Sequence, residues 1–129
     1  MLNFFVFTVK HALPEIHMEI TKEEFEEIVA EKRESLPKVI RDRIENVEFF
    51  VEEGISPNLL GLYHGIPFPH RKNPGYSLVM PDKITLFKGP IERSCRTREQ
   101  LEKRIEKVLF HEIGHYLGLN EEDLRKMSL

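Results

Sequence analysis

The chain has little sulfur with which to build a site: Cys95 is its only cysteine. No disulfide can therefore form within the chain, and no thiolate cluster can hold a metal, so any metal must sit on imidazole and carboxylate. Long hydrophobic runs are missing too. The longest, Phe4 to Val9, is interrupted by Thr8. It is far shorter than the roughly 18 residues of a membrane-spanning helix, and no small-residue cleavage site follows it. A membrane is thus not an expected partner, and the cytoplasm is the expected location. Positive charge is not in excess, with a net charge of −3 and a pI near 6.1. Phosphate binding needs a concentrated basic surface, so nucleic acid is excluded as the main partner. The small cluster Arg93, Arg96 and Arg98 is offset by nearby acids and reads as solvated surface. Repeats, linkers and low-complexity stretches are also absent.

What remains is the material of one ordinary globular domain spanning residues 1–129, with 40% hydrophobic and 32% charged residues. Leu2 to Val9 is short and apolar on both faces, as in a buried strand. Thr21 and Glu24 stand at capping-box spacing. With Phe25, Ile28 and Val29 on one face, they predict a helix from Lys22 to Glu34. Pro37 suits the start of a second, short helix carrying Val39, Ile40 and Ile44. Val47, Phe49 and Val51 alternate with Glu48, Phe50 and Glu52, the period of a strand with one face inward. Leu59 to Tyr63, interrupted by Gly61, is a weaker strand candidate. Ile84 to Phe87, bounded by Pro81 and Gly89-Pro90, is a stronger one. Between them, Ile66 to Pro81 carries four prolines and reads as a long loop. The last helix is the best defined. Thr97 and Gln100 cap it, Leu101, Ile105, Val108, Leu109, Ile113, Tyr116 and Leu117 form its apolar stripe, and Gly118 ends it. This order of elements implies an α+β domain, a small sheet covered by helices.

The last helix also carries His111-Glu112-Ile113-Gly114-His115. Residues four apart project from one helix face, so two neutral imidazoles can converge on one cation, and imidazole nitrogen is a good zinc ligand. Glu112 points about 100° away around the helix, where it can meet a water without itself binding the metal. A catalytic zinc has three protein ligands and an open fourth position. Gly118 lets the chain turn back, and Glu121 follows at the spacing metal closure needs; Glu122 and Asp123 are neighbours that could substitute. His-Glu-x-x-His alone occurs by chance in a glutamate-rich chain with six histidines, but a capped helix, the glycine and the acid together are far more specific. Gly114 costs about 1 kcal/mol relative to alanine inside a helix, which implies close approach of another backbone. His11, His17, His64 and His70 fall outside any ligand spacing, although His64 or His70 could close the site as a fourth ligand. Tyr63, Tyr76 and Tyr116 could offer a phenol to an oxyanion, with core packing the first reading for Tyr116; Met127 reads as a tail residue.

These residues give the chain a family likeness. With Phe25 to Val29, Leu36-Pro37, Asn46-Val47, Leu60 to Pro67, Pro81 to Phe87 and His111 to Leu124, it resembles the small zincin-like family of bacterial zinc metallopeptidases, the minimal zincins. The resemblance implies a compact zincin-like fold, a small mixed sheet packed against helices with Zn2+ at the long C-terminal helix. It implies His111 and His115 as ligands, an acidic third ligand after the glycine, and Glu112 as general base. The extended pattern is similar to that of metzincins, with Glu121 in place of their third histidine. The expected activity is hydrolysis of peptide bonds in a peptide or protein substrate, with an extended chain pairing on the edge of the strand Ile84 to Phe87. The rival expectation is a metal-binding interaction or regulatory protein with little or no peptidase activity.

Overall fold

The computed structural model describes residues 3–8, 17–65 and 81–126, the first of these segments by its backbone. The described chain runs β1 (Asn3–Thr8), α1 (Lys22–Glu34), α2 (Lys38–Arg43), β2 (Glu48–Glu52), β3 (Leu59–Gly65), β4 (Lys83–Phe87), α3 (Lys88–Arg93), α4 (Arg98–Tyr116) and α5 (Glu121–Lys126). The architecture is α+β, as the order of elements implies. The proposed loop Ile66 to Pro81 lies, but for its last residue, outside the described residues, as do His11, His70, Tyr76 and Met127.

The helix caps explain where the two long helices begin. In α1 the backbone N–H of Glu24 donates to Thr21 Oγ1 at 3.1 Å, and the Thr21 hydroxyl donates back to the Glu24 carboxylate at 3.2 Å. In α4 the N–H of Gln100 donates to Thr97 Oγ1 at 3.1 Å, while the Gln100 side chain accepts from Arg96 N–H. These bonds satisfy amides that have no partner inside the helix. Leu101, Ile105, Val108 and Leu109 are fully buried along one face of α4, each contributing about 1.5–3 kcal/mol by leaving water. α4 packs against β1, β3 and β4 and against α1 and α3, so it is the axis of the core. Arg98 ties it to α1 by a 3.1 Å contact with Glu24, so this member of the arginine cluster is an ion-paired surface residue.

The sheet has the order β1-β3-β4-β2. β3 is antiparallel to both β1 and β4, and β2 runs parallel to β4, so the sheet is mixed. This corrects one expectation. Ile84 to Phe87 is not an edge: β4 is hydrogen-bonded on both sides, by β3 and β2, and has no free backbone row for a peptide to pair with. The weaker strand candidate, β3, is likewise interior. At Gly61 it lies close against Val108 and Glu112 of α4. Phe49, Val51, Gly61, Tyr63, Ile84 and Leu86 stand in register across one face of the sheet, where Val51, Tyr63, Ile84 and Leu86 are buried.

Two short helices depart from the sequence reading. Gly89-Pro90 ends β4 but, rather than forming a turn, it opens α3. Proline is tolerated in a first helical turn because its missing N–H has no helical partner there. Within α3, Lys88 and Glu92 form a buried ion pair at 2.9 Å, and the second Glu92 oxygen accepts from Ile20 N–H at 2.7 Å. The segment entering α1 is thereby held against α3. α5 follows α4 after a tight turn and carries the second half of the site described next.

Candidate metal centre

Gly118 lets α4 end beside its own last turn. Its φ of 92° is a left-handed conformation that costs other residues strain, its N–H bonds His115 O, and Leu119 N–H bonds Gly114 O at 2.9 Å. The chain is thereby reversed, and Asn120 starts α5: its side chain accepts from Asp123 N–H at 2.8 Å, and Asp123 accepts from Asn120 N–H at 3.0 Å. Glu121 is then the first residue of α5 and stands over the histidine face of α4.

The rings of His111 and His115 lie with centroids 4.9 Å apart, and both are buried. Glu121 Oε1 is 2.7 Å from His115 Nε2 and 3.2 Å from His111 Nε2. The three candidate ligand atoms all fall within 4.8 Å of one another. Ligand atoms bound to one tetrahedral zinc at 2.0–2.1 Å stand about 3.3 Å apart, so a modest adjustment accommodates the ion. His115 supplies a second test of fit. Its Nδ1 lies 2.9 Å from Leu119 O and donates to that carbonyl, which turns the lone pair of a neutral ring at Nε2 toward the carboxylate. Two lone pairs facing each other at 2.7 Å need a cation or a proton between them. Partial burial pushes Glu121 upward, but with a proton between the groups hydrogen bonds from His115 and His111 outweigh it and hold the carboxyl below the usual carboxylate range. The other two acids weighed at this position point elsewhere: Glu122 pairs with Lys126 at 3.5 Å, and Asp123 is engaged in the cap.

Glu112 lies on the adjacent face of α4 and is fully buried. Neither of its carboxylate oxygens has a hydrogen-bonding partner of good geometry among the described residues. Burial raises its pKa well above the usual range, the negative charge of Glu121 adds to the rise, and the Tyr63 backbone partly offsets it. A buried, unsatisfied carboxylate is costly in a fold unless something else engages it, and such groups cluster at functional sites. β3 is drawn close to it at Gly61. Opposite this point the β1 register skips Leu60, leaving a bulge beside the site. A Cβ on Gly61 would fall 2.6 Å from Val108 Cγ1 and 3.3 Å from Glu112 Cγ. Gly61→Ala is therefore expected to destabilise the fold by about 1–3 kcal/mol through overpacking. Urea denaturation checks this, and an unchanged midpoint would show that β3 does not approach α4 this closely.

The remaining candidates take other places. Tyr63 is buried and its hydroxyl donates to Asp82 at 2.6 Å, so that phenol is already engaged. Tyr116 packs edge-on against Tyr63 and donates to Arg43 O at 3.0 Å, the core role its position on α4 implies. His17 is exposed, and His64, on β3, is not among the clustered ligand atoms. Gly114 does mark a close approach, but of a side chain rather than a backbone: Leu124 of α5 fills the space where its Cβ would be. The sequence reading includes Leu124 in the family resemblance but gives it neither a helix nor a role, although Asn120 and Asp123 stand at capping spacing and announce the helix that carries it.

A comparison with curated proteins finds no match. The model of the zincin-like metallopeptidase family matches residues 44–129, two-thirds of the chain, from the residue after α2 through β2, β3, β4 and α3 to the two helices that hold the three ligand candidates, with β1 and α1 outside it. A chain that carries this match together with a His-His-Glu cluster, two histidines on its long helix and the glutamate on the short helix that follows, belongs to the zincin-like metallopeptidase family.

Proposed function

We propose that the protein is a zinc-dependent peptidase in which His111, His115 and Glu121 hold the metal and Glu112 moves the proton. The observation that carries this reading is the convergence of two buried imidazoles and one carboxylate, with a fully buried carboxylate on the adjacent helix face whose oxygens have no hydrogen bond of good geometry among the described residues. A zinc ion held there supplies Lewis acidity, polarising a carbonyl and lowering the pKa of a water toward 7.

The chain's residues supply the rest. Leu119 O fixes the His115 tautomer through Nδ1, keeping Nε2 available as a ligand atom. Glu112, on the next face of the helix, is near enough to Glu121 to feel its charge and does not belong to the ligand set. Its carboxylate takes a proton from the attacking water and delivers it to the departing amine, the two proton transfers that amide cleavage requires. Fully buried, this carboxylate has no hydrogen bond of good geometry among the described residues, so its lone pairs are available to the reactants.

The test is incubation of the zinc-loaded protein with a library of quenched fluorescent peptides. Cleavage that disappears with a chelator and returns with zinc is the expected result. Zinc bound at this site with no cleavage across the library would favour the other role, a metal-binding interaction or regulatory protein.

A further inference from the structure

Gly114 lies between the two histidines in sequence and on the same face of α4, since positions 111, 114 and 115 are three and four apart. A Cβ there would stand 2.4 Å from Leu124 Cδ2. On α5, Glu121 and Leu124 are three apart and share the face turned to α4. Leu124 is fully buried, and it is the one buried residue of that helix. A helix of six residues has no stability of its own, so tertiary packing must hold it. The Asn120–Asp123 cap fixes how α5 begins, and the Gly118 turn fixes where the chain reverses. Neither sets the distance between α5 and α4. The Glu121 side chain is 63% exposed and its partners are the two imidazoles themselves, so nothing else among the described contacts aims it.

We propose that Leu124, seated on Gly114, is the positioning residue for the third ligand. It holds α5 at the separation from which Glu121 Oε1 reaches both histidines, so metal affinity depends on an apolar contact between two positions that ligate nothing. The helix cost of glycine at position 114 is then the condition for this seat, because any larger residue pushes α5 and Glu121 away. The inference rests on the reading of His111, His115 and Glu121 as metal ligands.

The experiment is calorimetric titration with zinc of the natural chain, Leu124→Ala, Glu121→Ala and the double variant. Circular dichroism verifies the fold, and cobalt absorption spectra report the ligand field. Leu124→Ala is expected to weaken zinc about 10- to 100-fold, the range found when a group that orients a ligand is lost, and to alter the cobalt bands. In the Glu121→Ala background the same substitution is expected to cost less than about threefold, because its effect passes through Glu121. Equal losses in both backgrounds would mean that Leu124 merely supports the fold, and an unchanged affinity in Leu124→Ala would overturn the proposal directly. Absence of zinc binding by the natural chain would instead overturn the ligand assignment beneath it. Should Leu124→Ala fail to fold, Gly114→Ala probes the same contact from the other side. Its methyl displaces Leu124, the same weakening is expected, and Gly114→Ala combined with Leu124→Val restores affinity. No loss in Gly114→Ala, or a loss that Leu124→Val leaves unrepaired, overturns the proposal.

Discussion

Glu112→Gln is expected to abolish peptide hydrolysis while leaving zinc in place. Glutamine has the same shape but cannot accept and release a proton at that position, and general acid–base catalysis contributes about 10²- to 10⁴-fold. Glu112 is not among the clustered ligand atoms, so zinc affinity should change little. The fold should also hold, because the substitution removes a charge that burial disfavours and disturbs no hydrogen bond of good geometry. Single-turnover assays beside zinc titration and thermal melting separate these effects. Hydrolysis at the natural rate in a zinc-loaded Glu112→Gln protein would remove the assignment of the base.

The second large effect is expected of His115→Ala. Structural zinc sites release about 10–16 kcal/mol on binding, which shared over four ligand positions is about 2.5–4 kcal/mol each, or about 10²- to 10³-fold in affinity. His115 is also wholly buried, and its Nδ1 donates to Leu119 O in the turn between α4 and α5. The metal-free variant should lose about 1–3 kcal/mol of stability besides, because that carbonyl is left without its donor. Calorimetry with zinc and urea denaturation in chelator read the two losses independently. Glu122→Ala, whose residue faces Lys126, should move neither. Natural zinc affinity in His115→Ala would mean that the ion binds elsewhere.

The contrast between α1 and α5 shows what the amino-acid order makes legible. α1 occupies Lys22–Glu34, as its cap and apolar face imply, because both signals are local and long enough to repeat. α5 has six residues and a single buried one, so it has no periodicity to read, and its place comes from Leu124 meeting Gly114. α3 is hidden for another reason: Gly89 and Pro90 are punctuation in most contexts, yet both sit in a first turn where their defects cost little. Strand order is a property of the whole sheet. The alternation in β2 and β4 gives their inward faces but cannot say that β4 lies inside and β2 outside. At the site, the four-residue spacing places His111 and His115 on one helix face whatever the rest of the fold does. The position of Glu121 depends on a turn at Gly118, a cap at Asn120 and an apolar seat at Gly114, three features whose joint result is visible only in three dimensions.

The central claim is that this cluster holds a metal ion, and elemental analysis tests it most directly. The natural chain is loaded with zinc at neutral pH, freed of excess ion by gel filtration, and compared with His111→Ala treated in the same way. One zinc per natural chain, absent from the variant, is the predicted result. A natural chain that emerges without zinc, or a variant that retains it, would contradict the account.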